Sequence, residues 1–325
     1  MLIDKFGREI NYLRLSVTDR CNLRCSYCMP EHQQFLSRAE VLSYEEILFL
    51  VNALTSNGIS KVRITGGEPF VRKDLSSLLE HLSSIKTLEN LSITTNGVLT
   101  GKYIDQLLRF NITNVNLSLD TLRRDRFFKL TRRDEFDAVF ASLQMLMQKP
   151  FNLKLNMVVI NDMNVDEILD FVELTRDHQI NVRFIEEMPF NGQGKDYSGI
   201  KWNYDAILHH INQHYSLTKL PDPRHNIALN YRADDFAGSI AVIPAYSRTL
   251  CGTCNRLRIT PTGGMKLCLY GNDVLNVKDL IRSGMTEQEL ITSIQQAVAL
   301  KPVNGFEAAK MKEVEKYESM SLIGG

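Results

Sequence analysis

The sequence has 325 residues, 44% of them hydrophobic and 23% charged, which is enough for one large domain or two smaller ones. The 38 basic residues balance the 38 acidic residues, which argues against a general surface for DNA or for anionic membranes. Met1 to Val17 lacks the apolar core of a signal peptide, and no apolar run approaches the roughly 18 residues of a membrane span. We therefore expect a soluble cytoplasmic protein with no DNA or membrane partner.

Six units, each a short strand followed by a helix, are predicted between the N-terminus and about Met188. The first helix has a capping box made by Ser43 and Glu46, and several helices carry a leucine-rich or isoleucine-rich apolar stripe. The six predicted strands are Asn11–Val17, Lys61–Thr65, Leu91–Thr95, Asn114–Leu119, Leu153–Ile160 and Asn181–Glu186. Strands that alternate with helices predict a parallel sheet, either open or curved into a barrel.

A complete eight-unit barrel takes about 250 residues, so six units predict an α/β fold with an incomplete (β/α)6 TIM-like barrel over residues 1–190. Beyond Pro189 the alternation of strands and helices ends. The later elements are expected at Trp202–Tyr215 as a helix, at Ile240–Ile243 as a strand, and as helices up to about Tyr317. We expect residues 191–325 to form a C-terminal domain that closes the open side of the barrel.

Most of the predicted strands alternate apolar and polar residues, whereas strands of an ordinary parallel sheet are apolar throughout. In the first strand, for example, Leu13 is followed by Arg14. Because side chains change face at every residue, the polar face, with Arg14, Arg63 and Lys154, should point into the barrel. Burying unpaired charges costs several kcal/mol, so these cations require an anionic ligand, although Asp120 is available to one of them. The alternative, a half-exposed antiparallel sheet, conflicts with the helices between the strands.

The cysteines form two groups of three. These groups are Cys21, Cys25 and Cys28, and Cys251, Cys254 and Cys268. In a reducing cytosol, such groups indicate metal ligands rather than disulfides. Three thiolates on one short loop can hold three irons of a four-iron cluster and leave the fourth iron open. The alternatives are a ferredoxin, which uses four cysteines per cluster, and zinc sites with a fourth ligand other than cysteine, such as His32 for the first group.

The spacing Cys21-x-x-x-Cys25-x-x-Cys28, with Tyr27 before the last cysteine, resembles the signature of the radical S-adenosylmethionine enzymes. The resemblance implies a 4Fe-4S cluster whose open iron binds S-adenosylmethionine, and a 5′-deoxyadenosyl radical that removes a hydrogen atom from the substrate. It also implies four contacts to S-adenosylmethionine, namely Tyr27, Gly67 in a Gly-Gly-Glu-Pro segment, Ser118 and Met188. Without the resemblance, a plain turn or ordinary packing would explain these residues equally well.

The second group of cysteines is accompanied by Arg256 and Arg258. Residues two apart in an extended chain point the same way, and paired guanidinium groups suit phosphate, although a solvated face is the alternative. The two cysteine groups, this arginine pair and the terminal Gly324-Gly325 resemble the GTP 3′,8-cyclase family of molybdenum cofactor biosynthesis.

This second resemblance implies a second 4Fe-4S cluster at the C-terminal cysteines, with GTP as substrate. The implied GTP contacts are Arg14, Arg63, Thr94, Lys154, Arg256 and Arg258. Catalytic roles are implied for Cys21, Cys25, Cys28, Arg256, Arg258, Gly324 and Gly325. The implied product is (8S)-3′,8-cyclo-7,8-dihydroguanosine 5′-triphosphate, and the implied partners are a reducing electron donor, a second copy in a homodimer, and a downstream cyclic pyranopterin monophosphate synthase. The rival functions are a peptide-modifying radical enzyme and a zinc-stabilised binding module.

Overall fold

The computed structural model describes residues 1–188, 200–311 and 318–323. The predicted domain boundary at residues 190 and 191 and the predicted catalytic residues Gly324 and Gly325 lie outside the described residues. Within the described ranges, one sheet of twelve strands organises the fold. No described helix has both the length and the hydropathy that crossing a membrane requires.

The six predicted strands are confirmed, and helices follow the first five of them; the fourth strand is followed by two helices, and the next described helix after the sixth strand begins only at Tyr204, beyond the predicted units. The strands are β1 (Tyr12–Ser16), β2 (Lys61–Thr65), β3 (Asn90–Thr95), β4 (Asn114–Ser118), β5 (Asn152–Val159) and β6 (Asn181–Glu186). The helices are α1 (Tyr44–Ser56), α2 (Leu75–Ser83), α3 (Ile104–Arg109), α4 (Arg124–Thr131), α5 (Phe136–Gln148) and α6 (Ile168–Glu173). The capping box of α1 forms as predicted, because Ser43 accepts from the Glu46 backbone while the Glu46 carboxylate accepts from Ser43 N.

The C-terminal part adds strands to both sides of the first six. Its strands are β7 (Leu217–Lys219), β8 (Leu229–Ala233), β9 (Ser239–Ile243), β10 (Arg256–Ile259), β11 (Gly264–Lys266) and β12 (Asp273–Asn276). Its helices are α7 (Tyr204–Asn212), α8 (Val277–Arg282), α9 (Glu287–Ala299), α10 (Gly305–Lys310) and α11 (Met320–Ile323). The strand order is β12-β11-β10-β1-β2-β3-β4-β5-β6-β9-β8-β7.

The central part of this sheet is parallel. β10 pairs in parallel with β1, and β9 pairs in parallel with β6. The outer strands β11, β12, β8 and β7 are antiparallel to their neighbours. The two strands β9 and β10 therefore extend the parallel sheet at its two ends, and each carries residues of the C-terminal part to the edge of the N-terminal part.

The predicted alternation of apolar and polar faces is present in the central strands. Leu13 and Leu15 of β1 are fully buried beneath the helices, whereas Arg14 between them is partly buried on the other face. The strand register aligns the basic residues, since Arg14 lies opposite Arg63 of β2 on one side and Arg258 of β10 on the other. A row of guanidinium groups thus runs across neighbouring strands on one face of the sheet.

Candidate active site

One cavity of about 320 Å³ lies over the polar face of the sheet. Side chains from all eight strands of the parallel part, β10, β1 to β6 and β9, line it. The predicted site residues in its wall are Arg14, Cys21, Cys25, Tyr27, Cys28, Arg63, Gly67, Thr94, Ser118, Met188, Cys251, Cys254, Arg256, Arg258 and Cys268. The structure therefore brings both groups of cysteines and all the predicted ligand contacts except Lys154 to one cavity.

The loop with the first three cysteines is packed against the segment that follows β2. Gly67 N donates to Thr18 O at 2.7 Å, and Glu68 N donates to Arg20 O at 2.8 Å. A Cβ atom on Gly66 would lie 2.7 Å from Thr18 O, and a Cβ atom on Gly67 would meet backbone oxygens of the same segment. The two glycines are required here because only a backbone without side chains can approach this closely.

Other contacts fix the far end of the same loop. The Tyr27 hydroxyl donates to Asp120 Oδ2 at 2.7 Å, and Val158 N donates to Asp120 Oδ1 at 2.8 Å. Asp120 is thus a buried anchor for Tyr27, and the expectation that it would pair with a basic residue of the lumen is wrong. Cys28 O accepts from Met320 N at 3.1 Å, so the last described residues of the chain lie against the first cysteine group.

The first three thiols are close enough to influence one another. Burial raises the pKa of Cys21 to about 11 and that of Cys28 to about 12, and the neighbouring thiols add to the shift for Cys25 and Cys28. Thiols buried in this way are inert until a metal displaces their protons. Among the described residues, no three His, Cys, Asp or Glu side chains are grouped tightly enough to hold a single metal ion. A four-iron cluster does not need such a group, since each thiolate binds a different iron.

Glu186, at the end of β6, binds the chain segment that leads to the second group of cysteines. Its buried carboxylate accepts hydrogen bonds from Tyr204 N at 2.8 Å, Tyr246 N at 2.9 Å, Ser247 N at 2.7 Å and the Ser247 hydroxyl at 2.7 Å. This carboxylate joins three separate segments, so it fixes the start of the stretch that leads from β9 to Cys251.

The second three cysteines lie in a strongly cationic environment. Although burial raises the pKa of the Cys254 thiol, the positive charges of Lys301 and Arg256 outweigh this effect and lower the pKa to about 7. Burial, which has the largest effect, raises the pKa of the Cys251 thiol, and the charges of Cys268 and Cys254 raise it further, so Cys251 is close to both other thiols. A thiol with a lowered pKa is readily deprotonated, which favours metal binding.

The basic residues in the cavity wall and next to it repel one another. Burial and neighbouring cations lower the pKa of Arg14 to about 10, of Arg258 to about 9 and of Lys154 to about 8. The neighbours that act on Lys154 are Arg183, Arg63 and Lys61, and none of them is acidic. Such a concentration of positive charge attracts anions, so the cavity suits a polyanionic ligand.

Several described polar atoms in the cavity wall also lack a hydrogen-bond partner. Within the described ranges, Thr65 Oγ1, Asn156 Oδ1 and Arg256 Nε are buried and make no hydrogen bond. Buried polar atoms are nearly always paired in folded proteins. Together with the two groups of thiols, these atoms fit a site for metal clusters and polar ligands.

Two positions in the site differ from the sequence-based expectation. Lys154 is not among the residues that line the cavity, although it lies close to Arg183 and Arg63. Arg183 of β6 lines the cavity and was missed. The sequence Val182-Arg183-Phe184 follows the same alternation as the earlier strands, so the signal was present. The functional roles of all these residues stay predictions.

The chain is similar to proteins of several kingdoms over most of its length. It is 38% identical over 329 residues to "GTP 3′,8-cyclase" of Clostridium perfringens (strain 13 / Type A), which covers 99% of both chains. It is 41% identical over 310 residues to "GTP 3′,8-cyclase, mitochondrial" of Arabidopsis thaliana, with 93% of this chain and 78% of the relative covered. It is 40% identical over 333 residues to "Molybdenum cofactor biosynthesis protein 1" of Dictyostelium discoideum, where the chain spans 52% of the relative.

Family models and solved structures agree with these relatives. Residues 15–175 match the Radical SAM superfamily, and residues 180–306 match Molybdenum Cofactor Synthesis C. The structure of Streptococcus suis SuiB bound to S-adenosylmethionine is similar in fold, with a TM-score of 0.60, 16% identity, and 93% of this chain and 68% of that chain covered. The full-length similarity at 38% identity places the chain in a family: it belongs to the GTP 3′,8-cyclases, within the radical S-adenosylmethionine enzymes.

Proposed function

We propose that this chain converts GTP to (8S)-3′,8-cyclo-7,8-dihydroguanosine 5′-triphosphate in the first step of molybdenum cofactor biosynthesis. The observation that carries the proposal is the cavity, whose lining includes both groups of three cysteines and the arginines Arg14, Arg63, Arg183, Arg256 and Arg258. A triphosphate would complement the positive charge of these arginines, and each group of cysteines would leave one iron of a 4Fe-4S cluster open for a ligand.

The first three cysteines would hold one cluster, and the open iron would bind S-adenosylmethionine. When bound, the cluster and S-adenosylmethionine supply a radical that removes a hydrogen atom from the substrate. Tyr27 keeps the cysteine loop in place through Asp120, and Gly67 allows the adjoining backbone to pack closely. Ser118 and Met188 line the same cavity and are our candidates for the ribose and adenine contacts of S-adenosylmethionine.

The second three cysteines would hold the other cluster, whose open iron would bind guanine. Arg14, Arg63, Arg256 and Arg258 would bind the triphosphate, with Thr94 close to the nucleotide and Lys154 contributing charge from behind the wall. Arg183, which the sequence reasoning missed, joins this set. The chain's own contribution is to hold the ribose near the first site and to exclude water. Gly324 and Gly325 are proposed to complete the site, although they lie outside the described residues.

Further parts of the proposal concern architecture and partners. The sheet lines one cavity with eight of its strands, which supports a partial barrel over residues 1–190 that is completed by residues 191–325. We propose a homodimer in the cytoplasm, a reducing electron donor, and a downstream cyclic pyranopterin monophosphate synthase that takes the product.

A labelling experiment tests the reaction. The protein is purified and reconstituted anaerobically, and then given S-adenosylmethionine, a reductant and GTP deuterated at the ribose 3′ position. We expect deuterium in 5′-deoxyadenosine, measured by mass spectrometry. Deuterium that stays in the nucleotide would show that the substrate assignment is wrong.

A binding experiment separates this function from that of a peptide-modifying radical enzyme. Replacing Arg256 and Arg258 together with alanine should abolish GTP binding in isothermal calorimetry while the iron content stays unchanged. Replacing Arg232, which is exposed on β8, is the matched control and should leave GTP binding intact. Unchanged GTP affinity in the double variant would favour the rival function.

A further inference from the structure

Lys301 is a buried lysine behind the second group of cysteines, and the function proposed above gives it no role. Only 2% of its surface is exposed, although lysine is almost never fully buried unless it is paired. Burial lowers the pKa of Lys301 and the charges of Arg8 and Arg256 add to this, whereas the charges of Cys254 and Cys268 raise it. Of these groups, the two cysteines are the ones that, as thiolates, would stabilise the lysine cation.

The amine of Lys301 connects the two chain segments that carry these cysteines. Its Nζ donates a hydrogen bond to Arg256 O at 2.8 Å and another to Leu267 O. Arg256 is two residues beyond Cys254, and Leu267 directly precedes Cys268. A lysine amine has three donors, so two of them hold the strands that position two of the three thiols.

A rigid element presents Lys301 to this site. Helix α9 begins with a capping box at Thr286 and packs Leu290, Ile294 and Val298 into the core. Lys301 N donates to Val298 O at 3.0 Å, so the lysine backbone is fixed to the last turn of the helix. The cation cannot easily move away when the charge of the cysteine site changes.

We propose that Lys301 is a positioning residue of the second cluster, which aligns Cys254 and Cys268 and raises the reduction potential of the cluster that they hold. The inference rests on the proposed function, since it requires these cysteines to bind a cluster. A thiolate-ligated cluster becomes more negative on reduction, and a fixed cation in a medium of low dielectric constant stabilises the added electron.

The test uses the full-length chain with Cys21, Cys25 and Cys28 replaced by alanine, so that all bound iron belongs to the second group of cysteines. Lys301→Gln, which keeps a donor for the carbonyl oxygens, and Lys301→Arg, which keeps the charge, are compared with this parent. After anaerobic reconstitution, dithionite titration is followed by electron paramagnetic resonance. At a fixed ambient potential, the Gln variant should show an about tenfold lower ratio of reduced to oxidised cluster, equivalent to about 59 mV for one electron. The Arg variant should titrate with the parent.

Each other outcome is decisive. A parent that binds no iron would refute the proposed function at this site, before Lys301 is tested at all. A parent with a cluster and a Gln variant of equal potential would overturn the inference, and so would an equal shift in the Arg variant. Loss of the folded state in the Gln variant, measured by circular dichroism without iron, would assign Lys301 to the fold rather than to the cluster.

Discussion

Replacing Arg183 with methionine should stabilise the ligand-free protein while weakening its binding of GTP. Arg183 lies on β6 in the cavity wall, and its Nε donates to Asn181 Oδ1 at 2.6 Å. The charged groups that act on it most are Tyr12 and Arg256, and neither is a carboxylate. We therefore expect the Arg183 guanidinium to contribute to ligand binding and to lower the stability of the ligand-free fold.

The magnitude follows from the pKa of this side chain. Burial and repulsion from Arg256 lower the pKa of Arg183 from 12.5 to about 10. Each pKa unit corresponds to about 1.4 kcal/mol, so the charge costs the fold about 3 kcal/mol at any pH below 10. The Arg183 side chain is only partly buried, and methionine keeps only part of its packing. We therefore expect the free energy of unfolding to rise by about 1 to 2 kcal/mol rather than by the full amount.

Urea denaturation of the ligand-free protein measures the free energy of unfolding, and thermal unfolding with added GTP measures binding through the rise in melting temperature. The matched control is Arg176→Met, since Arg176 is exposed and pairs with Glu173 at 2.7 Å. This control should lose up to about 1 kcal/mol and keep the full response to GTP. Any loss of stability in Arg183→Met would refute the argument from repulsion.

Three further substitutions test other parts of the site. Gly67→Ala should lower the free energy of unfolding by more than about 2 kcal/mol in urea, because the added Cβ would lie 2.6 Å from Asp19 O. Burial lowers the pKa of Lys154 from 10.5 to about 8. Between pH 8 and 10.5 the unfolded chain therefore binds one more proton than the folded protein, so the free energy of unfolding rises with pH. Lys154→Met should remove this rise. Glu186→Gln should cost about 2 kcal/mol and reduce the iron bound by the second group of cysteines, because an amide cannot accept all four hydrogen bonds that the carboxylate accepts.

Each of these substitutions has a matched control in the same chain. Gly252 has no atom within 4 Å of a built Cβ, so Gly252→Ala should be nearly neutral, and equal losses at both glycines would contradict the close-packing argument. Lys86→Met and Glu80→Gln change exposed side chains of the same types. A pH slope that survives in Lys154→Met, or iron loss in Glu80→Gln equal to that in Glu186→Gln, would contradict the other two predictions.

The sequence alone predicted the local elements well, because their signals are local. The bounds of β2 and β6 agree residue for residue with the prediction. The alternation around Arg14 and Arg63 predicted a cationic face, since side chains in a strand change face at every residue whatever the tertiary structure. The spacing of Cys21, Cys25 and Cys28 predicted a metal site for a similar reason, because the ligands lie on one loop.

The tertiary structure alone determined which segments that are distant in the sequence contact one another. β9 and β10 extend the two ends of one sheet, and this placement brings the second group of cysteines to the cavity of the first. No periodicity in the sequence encodes which strands become neighbours. The bond from Tyr27 to Asp120 and the position of Lys301 behind Cys254 likewise depend on the packing of distant segments. Sequence patterns therefore predicted most of the candidate site residues, and long-range strand pairing determined where they meet.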